Sequence, residues 1–496
     1  METFVSLKRT AVTSVMWSAL ENASTTLIAF LSLVILAKLV GPQDFGVYSV
    51  ALSIIEIAGI FTNMFFYEAL IQSSKVEDRH FDGAFTASIV ISVSMFGLVW
   101  FIFPLVASLI GDIRIITIGQ VLACSLILTG PMSIFGAKLA REFVFRILAL
   151  RTFAGRVVGA LIGIAAALYG MGVWALVIQY ISMTVLGSLA LVIFSPWQPR
   201  ITFNWRPVSE LVSFSEGSVI TLAASFLTKR VFVFSVGAFL GTDQAGFLNL
   251  SFRLVDTVWS MSANAISQVM LPLMARLQNN RERLLSAYRL AFTLGCALIY
   301  PVFFGIGAIA PELIQLLFGD KWEAAARPTL WLSFLVFLQA PRIFQTSLLK
   351  ITGNIHQVRS VGLITLTFMV AGVALTKLPN TTLALSLWSA NEFLTFLLLS
   401  VCIQLSLKFS VLEQLKLSLL PFAASCLMAL SVELARKFLH PMQPTVLALA
   451  LLCLVGVATY IAILFIFGRD IVQNGLRLLQ KPHEPLSRSP PSSPLQ

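Results

Sequence analysis

The stretch AVTSVMWSALENASTTLIAFLSLVIL, residues 11–36, is the first long apolar run of the chain. A transmembrane helix needs about 20 mostly apolar residues, and this run is longer and lacks the small-residue cleavage site of a secretory signal peptide. It is therefore predicted to be the first membrane span. Comparable runs alternate with short polar loops along the rest of the chain. The predicted spans, about fourteen, are 11–36, 47–72, 83–107, 115–137, 150–169, 172–194, 212–239, 247–274, 286–310, 327–349, 358–376, 383–405, 415–435 and 445–467.

The composition agrees with an all-α integral membrane protein. Of 496 residues, 57% are hydrophobic and 11% are charged, and the mean hydropathy is +0.89. Soluble domains carry charge on roughly a quarter of their residues. A soluble core therefore has no room for this much apolar surface, and the lipid bilayer is the expected surroundings of the protein.

The charge distribution predicts the orientation in the membrane. A net charge of +11 suggests nucleic acid in a soluble protein, but here most Lys and Arg residues lie in short loops between apolar runs. With the N-terminus in the cytoplasm, most of these basic loops face the cytoplasm, as the positive-inside rule requires. Both termini are thus predicted to be cytoplasmic, with no nucleic-acid partner. The Pro/Ser-rich tail within 469–496 is predicted to be largely disordered.

An internal repeat links the two halves of the chain. LVGPQDFG at 39–46 matches FLGTDQAG at 239–246, which is 200 positions later. Six predicted spans separate the copies, and an even number means that both enter the membrane in the same direction. The halves are therefore expected to be related by an axis along the membrane normal, an arrangement in which transporters place their substrate path between the halves.

Polar residues form stripes on several predicted spans. They recur every three or four positions, which is the helical period, so each set lies on one helix face. These stripes are predicted to line one polar cavity. The stripe residues are Glu21 in the first span, Ser53, Glu56 and Asn63 in the second, Ser225 and Lys229 in the seventh, and Asn249, Arg253, Asp256, Ser260, Asn264 and Gln268 in the eighth.

Among the cations inside predicted spans, Lys229, Arg230, Arg253 and Arg342 are the candidates for a functional site. An ionised side chain there costs at least about 2.5 kcal/mol and usually faces a cavity or a partner. A cationic cavity suits a phosphate or diphosphate, which Arg binds through a bidentate fork. Adjacent residues point about 100° apart, so only one of Lys229 and Arg230 is expected to face the stripe, and the periodicity favours Lys229. Alternatively, Arg253 and Asp256 neutralise each other at i and i+3.

Glu56, Asp256 and Glu21 are interpreted as conformational switches or as residues that couple transport to H⁺ or Na⁺. Glu21, Glu56 and Glu68 are candidate proton or cation sites, with the alternative that they only accept hydrogen bonds from neighbouring Ser and Thr side chains. Arg156 lies near a span end and is expected to extend to the membrane interface.

Enzymatic motifs are missing from the sequence. It contains no P-loop, no GxSxG and no HExxH, and no outer-loop cluster of Asp or His for a metal. The sequence therefore predicts neither catalytic residues nor a metal or cofactor, and the protein is not expected to be an enzyme.

Several stretches resemble a known family. They are ILAKLVGPQDFGVYSVALSIIEI at 35–57, EALIQ at 68–72, VMLPLMARLQNNRERLLSAYRLAF at 269–292 and LIQLLFGDKWEAAARPTLWL at 313–332. They are similar to the polysaccharide-transport branch of the multidrug/oligosaccharidyl-lipid/polysaccharide exporter superfamily. Its Wzx-type members flip lipid-linked glycan repeat units, and this chain is most similar to the flippases of exopolysaccharide clusters.

The resemblance implies fourteen helices in the bacterial inner membrane. They are divided into six-helix bundles at 1–200 and 201–410 and two added helices at 411–468. It implies an undecaprenyl-diphosphate-linked oligosaccharide as substrate, moved to the periplasmic leaflet by alternating access, with membrane lipids, a polysaccharide polymerase and export machinery as further partners. The four cations then bind the diphosphate. The sequence departs from the family near Phe232, where similar proteins often carry an acidic residue.

Two other functions are alternatives for a sequence with this many predicted spans. A cation-coupled exporter of small drugs in the same superfamily predicts a mainly acidic lumen, which the four cations oppose. A membrane-embedded polysaccharide polymerase or glycosyltransferase needs a sizeable outer loop with catalytic groups, and every loop of this sequence is short.

Overall fold

The computed structural model describes residues 24–73, 76–202, 206–439 and 446–469, together with 471 and 473. Within these ranges the chain is almost entirely helical and has no β-strand. Glu21 lies outside the described residues. The α-helices are α1 (Ser24–Leu39), α2 (Pro42–Gly59), α3 (Phe65–Gln72), α4 (Asp78–Ile110), α5 (Arg114–Arg141), α6 (Phe145–Leu168), α7 (Val173–Phe194), α8 (Arg206–Leu240), α9 (Thr242–Arg276), α10 (Arg281–Ala308), α11 (Ala310–Phe318), α12 (Ala326–Phe334), α13 (Val336–Ile351), α14 (Ile355–Thr376), α15 (Thr381–Leu407), α16 (Val411–Leu439) and α17 (Val446–Phe467).

Eleven helices of the described ranges are long and apolar enough to cross a membrane, and a twelfth span consists of a bent pair. The other two predicted spans correspond to α1, described from Ser24 onwards, and α9, a 35-residue helix. The polar stripe of α9 lowers its hydropathy below that of a lipid-facing helix. These helices confirm the prediction of an all-α protein with many membrane spans.

Two predicted spans are irregular. The second is interrupted by a π-helical turn at Ile60–Met64, between α2 and α3. The tenth, predicted as one helix over 327–349, is instead bent by 41° between Asp320–Phe334 and Val336–Ile351. Breaks of this kind inside a membrane are tolerated where the backbone lies within protein or lines a cavity.

The repeat sequences bring α2 and α9 into direct backbone contact. A Cβ atom added to Gly46 would lie 1.7 Å from the carbonyl oxygen of Thr242, and one added to Gly246 would lie 2.0 Å from that of Pro42. Gly46 and Pro42 are the repeat equivalents of Gly246 and Thr242, so the contact is reciprocal, as a two-fold axis produces. Both helices begin at this same end of the molecule, which agrees with an axis along the membrane normal.

The end at which α1 ends and α2 begins, here called the α1–α2 end, is sealed by a short 3₁₀ helix, Asp320–Ala325. The buried Trp322 donates from Nε1 to the carbonyl oxygen of Ala37 at 2.7 Å. Its ring packs edge-on against Phe45, with centroids 5.2 Å apart, and against Phe247, at 6.0 Å. Lys321 Nζ donates to the Lys38 carbonyl at 2.6 Å. The last carbonyls of α1, which lack helical partners, are thus held by residues that precede α12.

The turn between α4 and α5 adds an ionic contact at this end. Arg114 donates from Nη2 to Asp112 Oδ2 at 2.7 Å and from Nη1 to Asp44 Oδ1 at 2.9 Å. The hydrogen bond from Arg114 lowers the pKa of the Asp112 carboxyl. The turn is thereby tied to the first turn of α2.

Trp322→Phe tests this seal. The phenyl ring retains much of the packing, but the buried Ala37 carbonyl loses its donor, which costs about 1–3 kcal/mol. We expect a lower thermal unfolding midpoint in detergent. Trp100→Phe, at a partly exposed position on α4, is the control and should leave the midpoint unchanged. Equal midpoints for Trp322→Phe and the parent protein would contradict the role of this bond.

Candidate functional site

Two adjacent cations of α8 bind the equivalent carboxylates of the two repeats. Lys229 Nζ contacts Asp256 Oδ2 on α9, and Arg230 Nε lies 2.5 Å from Glu56 Oε2 on α2. The second contact is an ion pair without hydrogen-bond geometry, since neither atom has a hydrogen-bond partner. Glu56 and Asp256 are 200 positions apart. Helix α8 therefore packs against both α2 and α9 and forms an ion pair with each.

These contacts decide two questions that the sequence leaves open: which cation Asp256 pairs with, and which of Lys229 and Arg230 lies on the stripe side. Asp256 neutralises Lys229 rather than Arg253, because α8 brings the ammonium group to it. Lys229 lies on the stripe side, as the periodicity favours, with its Nζ 4.3 Å from the ring centroid of Phe252. Arg230 points to the other neighbour, α2. The 100° between the two side chains thus directs them to different helices.

Arg253 is placed differently from the other three cations. It is half-buried, and its guanidinium carbon lies 5.7 Å from the ring centroid of Tyr48 on α2, within the range of a cation–π contact. Among the described residues, no carboxylate forms an ion pair with Arg253. Its charge is therefore open to an anion that enters the cavity beside it.

Arg253 lines a cavity of about 500 Å³ between α1, α2, α6, α7 and α9, here called the central cavity. Both repeats contribute to its wall. Its charged and polar lining residues include Thr25, Ser32, Tyr48, Glu56, Arg156, Gln179, Tyr180, Arg253, Asp256, Thr257 and Ser260.

Arg342 lines a second cavity of about 320 Å³, here called the C-terminal cavity, together with Ser225, Lys229, Asp256 and Glu392. The Arg342 guanidinium is bonded to Glu392, whose side chain is 5% exposed. Asp256 lines both this cavity and the central one. Glu392 was missed by the sequence reasoning, although a lone carboxylate inside the predicted span 383–405 is itself a signal of a functional or paired residue.

The third and largest cavity, about 780 Å³, is lined only by residues before position 192 and is here called the N-terminal cavity. It contains Arg151 and Arg156 of α6, and Arg156 also lines the central cavity. Arg156 donates from Nη1 to the carbonyl oxygen of Thr25 at 3.2 Å. The prediction that Arg156 extends to the membrane interface is therefore wrong, because the packing of α6 directs the side chain inward.

The remaining candidate residues are divided between cavity walls and helix contacts. Asn63, Ser225 and Ser260 line cavities. Ser53 and Asn249 are buried in the protein instead of lining a lumen, and this corrects their predicted position. Ser53 Oγ donates to the Ser49 carbonyl of its own helix at 2.7 Å, so that its hydroxyl is satisfied without water. Asn264 and Gln268 belong to α9, but their side chains are outside the described set.

Acidic, His and Cys side chains do not converge on a metal site in the described ranges, where no group of three or more lies together. Three of the cavity carboxylates, Glu56, Asp256 and Glu392, are instead paired with cations.

Helices long enough to span a membrane, with cavities lined by charged side chains between them, define a polytopic membrane protein. The chain belongs to the polysaccharide biosynthesis protein family, which it matches over residues 35–327. It is 26% identical over 318 residues to the succinoglycan biosynthesis transport protein ExoT of Rhizobium meliloti (strain 1021), and the match covers 64% of each chain. It is 19% identical over 324 residues to the lipopolysaccharide biosynthesis protein WzxC of Escherichia coli (strain K12), over 64% of this chain and 65% of WzxC. The matched regions thus span just under two thirds of these relatives.

The fold is similar to that of the lipid II flippase MurJ in an inward closed conformation. The TM-score is 0.75 at 14% identity, over 92% of this chain and 100% of that chain. At this identity the likeness concerns the fold alone, and it confirms the predicted all-α membrane fold. The family resemblance predicted from 35–57 and 269–332 is confirmed by the family match.

Proposed function

We propose that this protein is a flippase that moves an undecaprenyl-diphosphate-linked oligosaccharide across the bacterial inner membrane by alternating access. The observation that carries this proposal is Arg253, a half-buried cation on the wall of the central cavity that forms no ion pair with a described carboxylate. A diphosphate supplies the missing negative charge, and the names of the relatives concern the transport or biosynthesis of polysaccharides.

The orientation follows from the basic loops. With both termini in the cytoplasm, the sealed α1–α2 end faces the periplasm, so the described conformation has its periplasmic exit closed. A lipid-linked substrate then enters from the cytoplasmic leaflet and meets Arg253 before this end opens.

The ion pairs of α8 offer a way for the substrate to change the conformation. A diphosphate bound at Arg253 lies beside Asp256, which borders the same central cavity, and its negative charge weakens the ion pair between Asp256 and Lys229. Loss of that pair weakens the hold of α9 on α8 and shifts the population towards another conformation. Protonation of Glu56 or Asp256, or Na⁺ bound to either carboxylate, acts in the same direction and would couple transport to an ion gradient.

The pairing of the carboxylates disfavours the export of cationic drugs. Glu56, Asp256 and Glu392 each contact a cation, which reduces the negative charge available to a cationic substrate. Arg253 is then a cation of the central cavity that no described carboxylate pairs with, and it favours an anionic ligand.

Arg253→Gln tests the proposal. We expect the purified variant to bind undecaprenyl diphosphate at least about tenfold more weakly, a loss of about 1.4 kcal/mol, since one charge-assisted contact disappears. Polymer export from the host should fall while the amount of protein in the membrane stays unchanged. Arg289→Gln, an exposed cation of α10, is the matched control. Full binding and full export by Arg253→Gln would reject the assignment.

A further inference from the structure

The N-terminal cavity has no role in the proposed binding of the diphosphate, although it is the largest of the three. It lies between α3, α5, α6 and α7 and the π-helical turn, and it is formed without any residue of α8 to α17. A volume of about 780 Å³ is within the range of ligand pockets in general, roughly 300–1,000 Å³. The cavity is therefore a candidate binding site in its own right.

The lining of this cavity suits a hydroxylated ligand with a negative charge. Hydroxyl and amide groups point into it from four elements, and hydrogen-bonding groups of this kind match the hydroxyls of a sugar. Tyr67 adds an aromatic surface. The charged lining residues are Arg151, Arg156 and Glu68, whose formal charges leave one net positive charge, and a guanidinium can bind a carboxylate through a fork. The polar uncharged lining residues are Asn63, Thr129, Ser133, Thr152, Thr184 and Ser188.

Glycines keep open the space beside Arg151. A Cβ atom on Gly136 would lie 3.6 Å from Tyr67 Cε2 and 3.8 Å from Arg151 Nη1, and one on Gly187 would lie 3.8 Å from Arg151 Cγ. These are ordinary contact distances, so a Cβ atom at either position would fit without disturbing the helix packing. A longer side chain at either position would instead extend into the cavity near the guanidinium.

The N-terminal cavity adjoins the central cavity. Arg156 and Met183 line both. A smaller cavity of about 260 Å³ shares Asn63 and Thr129 with the N-terminal cavity and Glu56 and Tyr180 with the central one. An extended ligand with its anionic head at Arg253 can thus place its distal part beside Arg151.

We propose that the N-terminal cavity is the subsite for the glycan of the lipid-linked oligosaccharide, and that Arg151 and Arg156 select a sugar that carries a carboxylate. This inference rests on the proposed function, since it assumes that the diphosphate binds at Arg253. Arg156, between the two cavities, then marks the boundary between the diphosphate and the first sugars.

Photocrosslinking in the native host tests the subsite with the substrate that the cell makes. A photoreactive phenylalanine analogue replaces Ser133 in the N-terminal cavity, and in parallel strains it replaces Ser260 in the central cavity or Gly97 on α4, where a Cβ atom would meet open space. We expect adducts at Ser133 that contain an acidic sugar by mass spectrometry, and none at Gly97. Thr184 serves as a second cavity position if the Ser133 variant does not reach the membrane.

Two substitutions then challenge the site. Gly136→Leu fills the space beside Arg151, and Arg151→Gln removes its charge. Each should lower the glycan adduct in the N-terminal cavity at least tenfold, without lowering the affinity of purified protein for sugar-free undecaprenyl diphosphate. The matched controls are Gly97→Leu and Arg146→Gln, an exposed position of α6, and both should retain the adduct.

The outcomes separate this inference from the proposed function. Adducts at Ser260 with none at either N-terminal position overturn the subsite and leave the flippase proposal standing. Adducts with neutral sugars alone overturn the selection of a carboxylate, and weaker binding of sugar-free lipid by Arg151→Gln overturns the division between diphosphate and glycan. If no position yields an adduct and the parent protein does not bind the sugar-free lipid, both proposals fail.

Discussion

Gly46→Ala is expected to destabilise the protein by about 3 kcal/mol, near the upper end of the usual cost of overpacking. The added methyl group would lie 1.7 Å from the carbonyl oxygen of Thr242, and the backbone of α9 has no rotamer with which to avoid it. Helices α2 and α9 must therefore move apart at this crossing, which also prevents the α1–α2 end from closing. The measurement is the thermal and denaturant unfolding of the purified protein in detergent, together with polymer export in cells.

Gly41→Ala is the matched control, because Gly41 precedes the same helix with φ −79° and has nothing within 4 Å of an added Cβ atom. It should change stability by a few tenths of a kcal/mol, the scale of most surface substitutions. Gly246→Ala should reproduce the defect, since the reciprocal contact is 2.0 Å. Similar unfolding of Gly41→Ala and Gly46→Ala would disprove the close crossing of α2 and α9.

Glu392→Gln should cost about 1–3 kcal/mol, the scale for removing the partner of a half-buried hydrogen-bonding group. The Glu392 side chain is 5% exposed and pairs with the guanidinium of Arg342, which is 29% exposed. The amide leaves that charge uncompensated between α13 and α15. Stability is read from the unfolding midpoint of purified protein, and the abundance of the variant in the membrane is expected to fall as well.

The second substitution of a double-mutant cycle shows whether the cost arises from the unpaired charge. Arg342→Gln in the Glu392→Gln background should recover part of the stability, because two amides can hydrogen-bond without a net charge. Glu433→Gln is the control: it is 51% exposed, and its partner Arg436 keeps Glu312, so a loss below about 1 kcal/mol is expected. No recovery in the double variant would mean that Glu392 stabilises the fold by other contacts.

The sequence predicts the helices and their repeat well because both depend on local patterns. Apolar runs of spanning length define the helices, and the matched glycines at 46 and 246 indicate equivalent helix starts. The mutual contact of those glycines also follows from the repeat once the halves are placed around one axis. The bend after Phe334 and the π-helical turn at Ile60–Met64 depend instead on tertiary packing, and no motif in the sequence indicated them.

The candidate site is less predictable, since a cavity is a property of several helices together. Lys229, Arg253 and Asp256 line cavities, but the stripe predicts one cavity and the structure has them on two. Which cation each carboxylate binds depends on how α8 packs against α2 and α9. Arg151 and Arg156 lie at the start of a span. At such a position the sequence does not show whether a side chain extends to the membrane interface or into the protein interior. Their inward direction follows from the packing of α6 on α7.

The reciprocal glycine contact also constrains how the closed end opens. The contacts Gly46–Thr242 and Gly246–Pro42 are copies of each other across one axis, so a movement of the two halves that breaks one also breaks the other. An opening movement that breaks either contact therefore loses both. For the proposed flippase, this end should behave as an all-or-none barrier, in which a polar head group is either fully admitted to the far side or fully excluded.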